Sequence, residues 1–218
     1  MKILLVVATE KELDGVMQSL AWEDQANQGH EIETLITGVG MVATAFWTGK
    51  TLQFYKPDLA VNIGIAGSFD RSLAIGEVVN IMEDCFSEMG AQDGSKFLTA
   101  PQISLLGPND FPYHEGKLMA SSTHDSAFLE KIKKVKGITV NTVHGDEQSI
   151  AEVVDLFNPD VESMEGAAFF YTCRMENIPC LQIRAVSNYV EKRNRDNWNI
   201  PLALENLAKA VKEILIEL

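Results

Sequence analysis

Short apolar runs alternate with stretches of helical spacing along the chain. Ile3–Val7, Leu59–Gly64 and Cys180–Val186 are largely apolar, the pattern of strands covered on both faces, and Ile32–Thr37 reads as a second strand. Glu77–Met82 and Ile138–Val143 read as further strands. Helical spacing runs from a Thr9 cap to Leu20, over Val42–Tyr55, Ser126–Lys136, Gln148–Phe157 and Glu165–Glu176, and through an amphipathic Pro201–Leu218. Lys56-Pro57 ends the second of these helices, because a residue before proline is pushed out of the helical region. Trp22–His30 is polar and turn-like. Cys85–Ser122 has weak periodicity and reads as an excursion with short strands or a subunit contact. Strands alternating with helices predict an α/β fold, a three-layer α/β/α sandwich around a mixed, twisted sheet.

Composition narrows the function more than the fold. At 218 residues the chain suits one domain, residues 1–218, with a sizeable core. A net charge of −13 argues against a nucleic-acid or anionic-membrane surface, both of which need a local surplus of Lys and Arg. One small anionic substrate remains compatible, since it needs only one or two cations. Cys85, Cys173 and Cys180 form no C-x-x-C pair, so reduced thiols in a cytoplasmic protein are expected. The histidines show no metal-ligand spacing, and no metal or other cofactor is expected. Lys2–Ala8 is too short for a signal peptide or a membrane span, and reads instead as the first strand.

Ligands of open α/β sheets bind beyond the carboxyl ends of strands, which directs attention to four places. Glu10 and Glu12 follow the first strand; acids at a helix start also simply favour its dipole. Gly38-Val-Gly40-Met-Val-Ala43 fits a relaxed dinucleotide pattern. Its confirming acid is misplaced, because Asp58 begins the next strand, so glycines for a tight strand-to-helix turn are the better reading. Glu165 lies in a loop, flanked by small apolar residues that would partly desolvate it. Arg184 sits inside the apolar Leu-Gln-Ile-Arg-Ala-Val, where an unpaired charge is rare. Glu165 or Glu12 is its expected partner, and a purely structural ion pair is an alternative.

Four motifs in order, Thr37-Gly-Val-Gly-Met, Asn62-Ile-Gly-Ile-Ala-Gly67, Ser163-Met-Glu-Gly-Ala-Ala168 and Ile183-Arg-Ala-Val-Ser-Asn188, make the whole chain resemble the purine nucleoside phosphorylase/nucleosidase family. Within it the hydrolase branch fits best. Asn141-Thr-Val-His-Gly145 and the stretch from Ser187 to Pro201 point to the enzymes there that act on a 6-oxopurine nucleoside with a carboxylate on its 5′ extension. The resemblance implies a small-molecule nucleoside substrate and a homodimer or higher homo-oligomer. It implies Glu12 as the water-orienting base, Arg184 as its support and Asn188 as the base-reading residue. Glu165, Met164, Ser163, Ala66, Gly67 and Ser187 would bind substrate. Methylthioadenosine nucleosidases have aspartate where this chain has Asn188, and glutamate where it has Ser163. Related phosphorylases place an arginine and a serine where this chain has Asn62 and Ile65, which removes the expected hold on phosphate. Arg71, Lys96, His114, Arg193 and Arg195 are candidates for the substrate carboxylate.

Overall fold

The computed structural model of the chain describes residues 1–21, 29–122 and 126–218. The elements in order are β1 (Lys2–Val7), α1 (Glu10–Ala21), β2 (Glu31–Ile36), α2 (Met41–Phe54), β3 (Leu59–Ser68), β4 (Val78–Asp84), β5 (Gly90–Asp93), β6 (Lys96–Thr99), β7 (Leu118–Met119), α3 (Ala127–Lys131), β8 (Lys133–Thr139), α4 (Glu147–Phe157), β9 (Val161–Ser163), α5 (Gly166–Met175), β10 (Cys180–Tyr189) and α6 (Ile200–Glu217). A single 3-10 turn, Arg195–Asn197, precedes α6.

The period of two along the central strands sorts their side chains between two helical layers. Ile3, Leu5 and Val7 of β1, Leu59, Val61 and Ile63 of β3, and Leu181, Ile183 and Ala185 of β10 pack with Leu207, Val211 and Ile214 of α6. The intervening Leu4, Val6, Ala60 and Cys180 pack with Ala167, Phe169, Phe170 and Cys173 of α5 and Leu52 of α2. Both faces are therefore covered, as the aliphatic runs require. The expected sandwich around a mixed sheet is what forms. The sheet also closes on part of itself. β10 pairs with both β3 and β4, β4 with β8, β8 with β9, and β9 with β3, while β1 and β2 extend from β3.

Several boundaries differ from expectation, each for a physical reason. Ser126–Lys136 is helical only over Ala127–Lys131, and the next strand begins at Lys133 rather than Ile138. Lys133 and Lys134 are exposed at the start of a strand whose later half is buried, so charge masked the strand pattern. β3 does not turn at Gly64 but runs to Ser68, since Ile65, Ala66, Gly67 and Ser68 pair with β10. Part of the loop expected before Glu165 is the short strand β9, which lies between β3 and β8. The excursion after β4 holds the hairpin β5–β6 and the two-residue β7. The turn expected over Trp22–His30 lies, from 22 to 28, outside the described residues.

Candidate active site

The carboxyl ends of β1, β3 and β10 surround a cavity of about 300 Å³, at the lower edge of small-molecule pockets. Glu12, Ala66, Gly67, Ser163, Met164, Glu165, Ser187 and Asn188 all line it. Arg184 does not reach the cavity surface and lies buried behind it. A second cavity, about 260 Å³, is lined by Glu83, Cys85, Lys117 and Lys136 among others and holds none of these residues.

Glu12 occupies the first turn of α1 in a Thr-x-x-Glu arrangement. Its Oε2 accepts from the Thr9 backbone N–H at 2.9 Å and from the Thr9 hydroxyl at 3.0 Å, half of a capping box. Its Oε1 faces β3, with the Ile65 N–H at 3.4 Å. A Cβ on Gly64 would stand 2.5 Å from Arg184 Nη1 and 2.9 Å from Glu12 Oε1. Glycine at 64 thus lets guanidinium and carboxylate converge over the strand.

Arg184 is fully buried, and its Nη2 donates to Asn62 Oδ1. Asn62 is fixed in turn by donating to the Val6 carbonyl at 2.9 Å. The direct ion pair expected between Arg184 and Glu165 or Glu12 is replaced by this bond, while Glu165, Glu12 and Asp84 act on the cation through space. Burial weakens its hold on its proton, and those three negative charges partly restore it.

Glu165 precedes α5, yet its side chain makes no cap there. It reaches instead to the start of α2, where Gly40 N–H donates to Oε1 at 2.9 Å. Gly40 has φ 96° and ψ 159°, a conformation open mainly to glycine. The glycine turn after β2 thus aims a helix N-terminus at a carboxylate, where its dipole favours negative charge. Burial still pushes the Glu165 carboxyl above the ordinary range, partly offset by Arg184 and the Gly40 bond. Ser163 Oγ accepts from Gly166 N–H at 3.3 Å and so supplies the helix-start bond that Glu165 leaves unmade.

At the opposite wall, the pairing of β10 with β3 slips between Val186 and Asn188. Such a bulge re-aims side chains. Ser187 Oγ donates to Asn188 Oδ1 at 2.8 Å, and Asn188 Nδ2 donates to the Tyr189 carbonyl at 3.0 Å. That fixes the amide with its NH2 on the Gly67 side, 3.2 Å from where a Gly67 Cβ would sit. One N–H of the amide is left for a ligand.

The cation candidates separate clearly. Arg71 is engaged with Glu191 at 2.7 Å and stacks on Tyr189. Arg193 and Arg195 lie over Trp198, a cavity residue, at 5.2 and 5.9 Å from its ring centre. Lys96 lies on the β5–β6 hairpin, and His114 bridges to Lys117. Lys11, which sequence reasoning passed over, lines the cavity itself. So do Val39, Val143, Trp198 and Glu162, also missed. A lysine at a helix start and a glutamate beside the Ser-Met-Glu motif carry no distinguishing local signal. No group of side chains suited to a metal occurs among the described residues.

The sequence profile of the phosphorylase superfamily matches residues 2–216. The chain belongs to the phosphorylase superfamily. Among curated superfamily members, it is 27% identical over 201 residues to the futalosine hydrolase of Thermus thermophilus, covering 91% of this chain and 86% of that one. It is 31% identical over 175 residues to a 5′-methylthioadenosine/S-adenosylhomocysteine nucleosidase of Bacillus cereus, covering 78% and 74%. The fold matches that of the native Helicobacter pylori futalosine hydrolase with a TM-score of 0.82 at 16% identity, over 100% and 98% of the two chains.

Proposed function

We propose that this N-glycosyl hydrolase cleaves futalosine, releasing hypoxanthine and dehypoxanthine futalosine, in the cytosol and on the alternative route to menaquinone. The observation that carries the reading is Asn188, whose amide N–H is left for a ligand at the cavity wall. An amide can donate to N7 and O6 of a 6-oxopurine but cannot protonate N7, and a site with mismatched polarity rejects a base strongly.

N-glycosidic cleavage passes through a ribosyl cation, so the site must favour positive charge at C1′ and aim a water there. Glu12 orients that water, its carboxylate fixed by Thr9 and crowded against Arg184 over Gly64. Glu165 accepts from a ribose hydroxyl and adds negative charge beside the developing cation. Met164 packs against the sugar. Asn188 stabilises the departing base, which collects its proton from solvent. Water rather than phosphate is the nucleophile, because Asn62 is committed to Arg184 and Val6 while Ile65 offers no hydroxyl. Lys11, with Arg193 and Arg195 beside Trp198, is placed to meet the substrate carboxylate. A second copy of the chain covers the exposed apolar face of α2 and completes the mouth of the cavity at Val39.

The 31% identity to a methylthioadenosine/S-adenosylhomocysteine nucleosidase favours a second reading, with adenine as the base. Incubation with futalosine and, separately, with methylthioadenosine, following hypoxanthine and adenine, decides between them. Hypoxanthine release independent of added phosphate is expected. Release of adenine alone would sink the futalosine reading, and a rate proportional to phosphate would sink hydrolysis.

A further inference from the structure

The two carboxylate oxygens of Glu12 have different neighbours. Oε2 accepts twice from one residue, from the Thr9 backbone N–H at 2.9 Å and from the Thr9 hydroxyl at 3.0 Å. Oε1 faces β3, where the Ile65 N–H stands at 3.4 Å, long for a hydrogen bond. The Arg184 guanidinium lies across the gap left by Gly64, but its Nη2 is drawn away to Asn62. An ionised carboxylate has roughly four acceptor positions, two on each oxygen. Thr9 fills both on Oε2, so the position left for an incoming donor is on Oε1. Thr9, Glu12 and Ile65 all line the cavity.

The hydroxyl adds something that the backbone N–H cannot supply alone. The last torsion of a glutamate side chain is broad and nearly two-fold, so one bond leaves the carboxylate free to swing. Donors to an sp² oxygen prefer the plane of the group and its lone-pair directions. Two donors on Oε2 therefore define the carboxylate plane, and with it the direction of the Oε1 lone pairs. Any residue but proline at position 9 would bring the N–H; only threonine or serine brings a hydroxyl at this reach. Being neutral, the hydroxyl anchors the carboxylate without cancelling its charge.

We propose that Thr9 is a positioning residue, its hydroxyl fixing the plane of Glu12 so that Oε1 receives the proton of the attacking water. This rests on the hydrolysis proposed above and deepens it. The water oxygen bonds to C1′ as the glycosidic C–N bond breaks and its electron pair leaves with the base. The water proton passes to Oε1 and then to solvent, from which the departing base collects its own.

Steady-state hydrolysis of futalosine, or of methylthioadenosine if only that is cleaved, by wild type, Thr9→Val, Thr9→Ser, Glu12→Gln and the Thr9→Val/Glu12→Gln double variant tests this. Thr9→Val keeps the backbone N–H and the branched shape and removes the hydroxyl. Its kcat should fall at least tenfold with KM within about threefold of wild type, and Thr9→Ser should restore kcat to within about threefold. Because Thr9 acts through Glu12, Thr9→Val should lower the residual rate of Glu12→Gln less than twofold. A hydroxyl that served only the start of α1 would lower the melting temperature of Thr9→Val and leave kcat unchanged. That result, an equal loss in Thr9→Ser, or a full further loss in the double variant would overturn the proposal and leave the hydrolysis reading standing. A wild type that cleaves neither nucleoside overturns both. Should Thr9→Val fail to fold, Thr9→Ala must show the same loss of kcat at unchanged KM, and a wild-type kcat there would overturn the proposal.

Discussion

On the proposed reading, the amide of Asn188 separates two substrate preferences, and its position is held by Ser187, Tyr189 and the bulge. Asn188→Asp should raise kcat/KM for methylthioadenosine relative to futalosine by about tenfold or more, read from competing base release; an unmoved ratio would remove Asn188 from base reading. Gly64 is the second sensitive position. A methyl there meets Arg184 and Glu12 at once, so Gly64→Ala should push the pair apart. Misplacement of this kind costs on the order of 10²-fold in rate. The expected result is a lower single-turnover rate with hypoxanthine binding largely retained; an unchanged rate would mean that Glu12 does not need Arg184. Glu12, Glu165 and Asn188 were legible in the sequence because each sits in a recognisable frame at a strand end. Glu162 and Lys11 were not, since only the pairing of β9 with β3 and the pitch of α1 turn them inward.

Among the elements, β4, β8, β10 and α5 meet at a buried polar knot. Asp84 is almost wholly buried, with Oδ1 accepting from Thr139 at 2.9 Å and Oδ2 from Gln182 at 3.0 Å. Thr139 Oγ1 accepts in turn from Ala167 N–H at 2.7 Å. The knot holds the start of α5, and with it Glu165. Burial pushes the Asp84 carboxyl up to about 6, more than the Gln182 and Thr139 donors, Arg184 and the Cys85 backbone N–H pull it down. The folded state thus binds this proton more tightly than the unfolded chain does. The resulting stability is present below about pH 4 and is lost as pH rises to about 6, a change on the order of 3 kcal/mol. Asp84→Asn should flatten that slope and raise the melting temperature at pH 8 by about 6–12 °C. Gln182 can turn its amide to match, since its Oε1 has no partner now. A lower melting temperature at pH 8 would contradict this account. None of the knot was visible in sequence, because its members are polar residues inside apolar runs, and periodicity does not say which face of a strand they share.

For the molecule as a whole, the outer face of α2 stands out. Val42, Phe46 and Phe54 are 79%, 58% and 86% exposed, with Val39 and Trp47 beside them. Exposed apolar residues clustered on one helix are what the proposed contact with a second copy would cover, and Val39 also lines the cavity. Phe46→Asp should convert a homodimer to monomers in sedimentation velocity and raise the KM for futalosine by about tenfold; a wild-type monomer would rule the contact out. The alternation of strands and helices was readable along the chain, whereas closure was not. It depends on β10 inserting between β3 and β4, a relation between distant segments that no local window contains.

That closure has a consequence for how the protein is made. The bond from Arg184 to Asn62 joins positions 122 apart in the chain, and until β10 emerges the edges of β3 and β4 stand open. Pairings so distant in sequence are slow to form, and open strand edges recruit other chains. The same strand carries Arg184, Ser187 and Asn188, so the step that seals the sheet also creates the binding site. A purine base can therefore act as a ligand for the sealed form alone. Its presence during refolding should increase the yield of closed protein over chains that pair edge to edge.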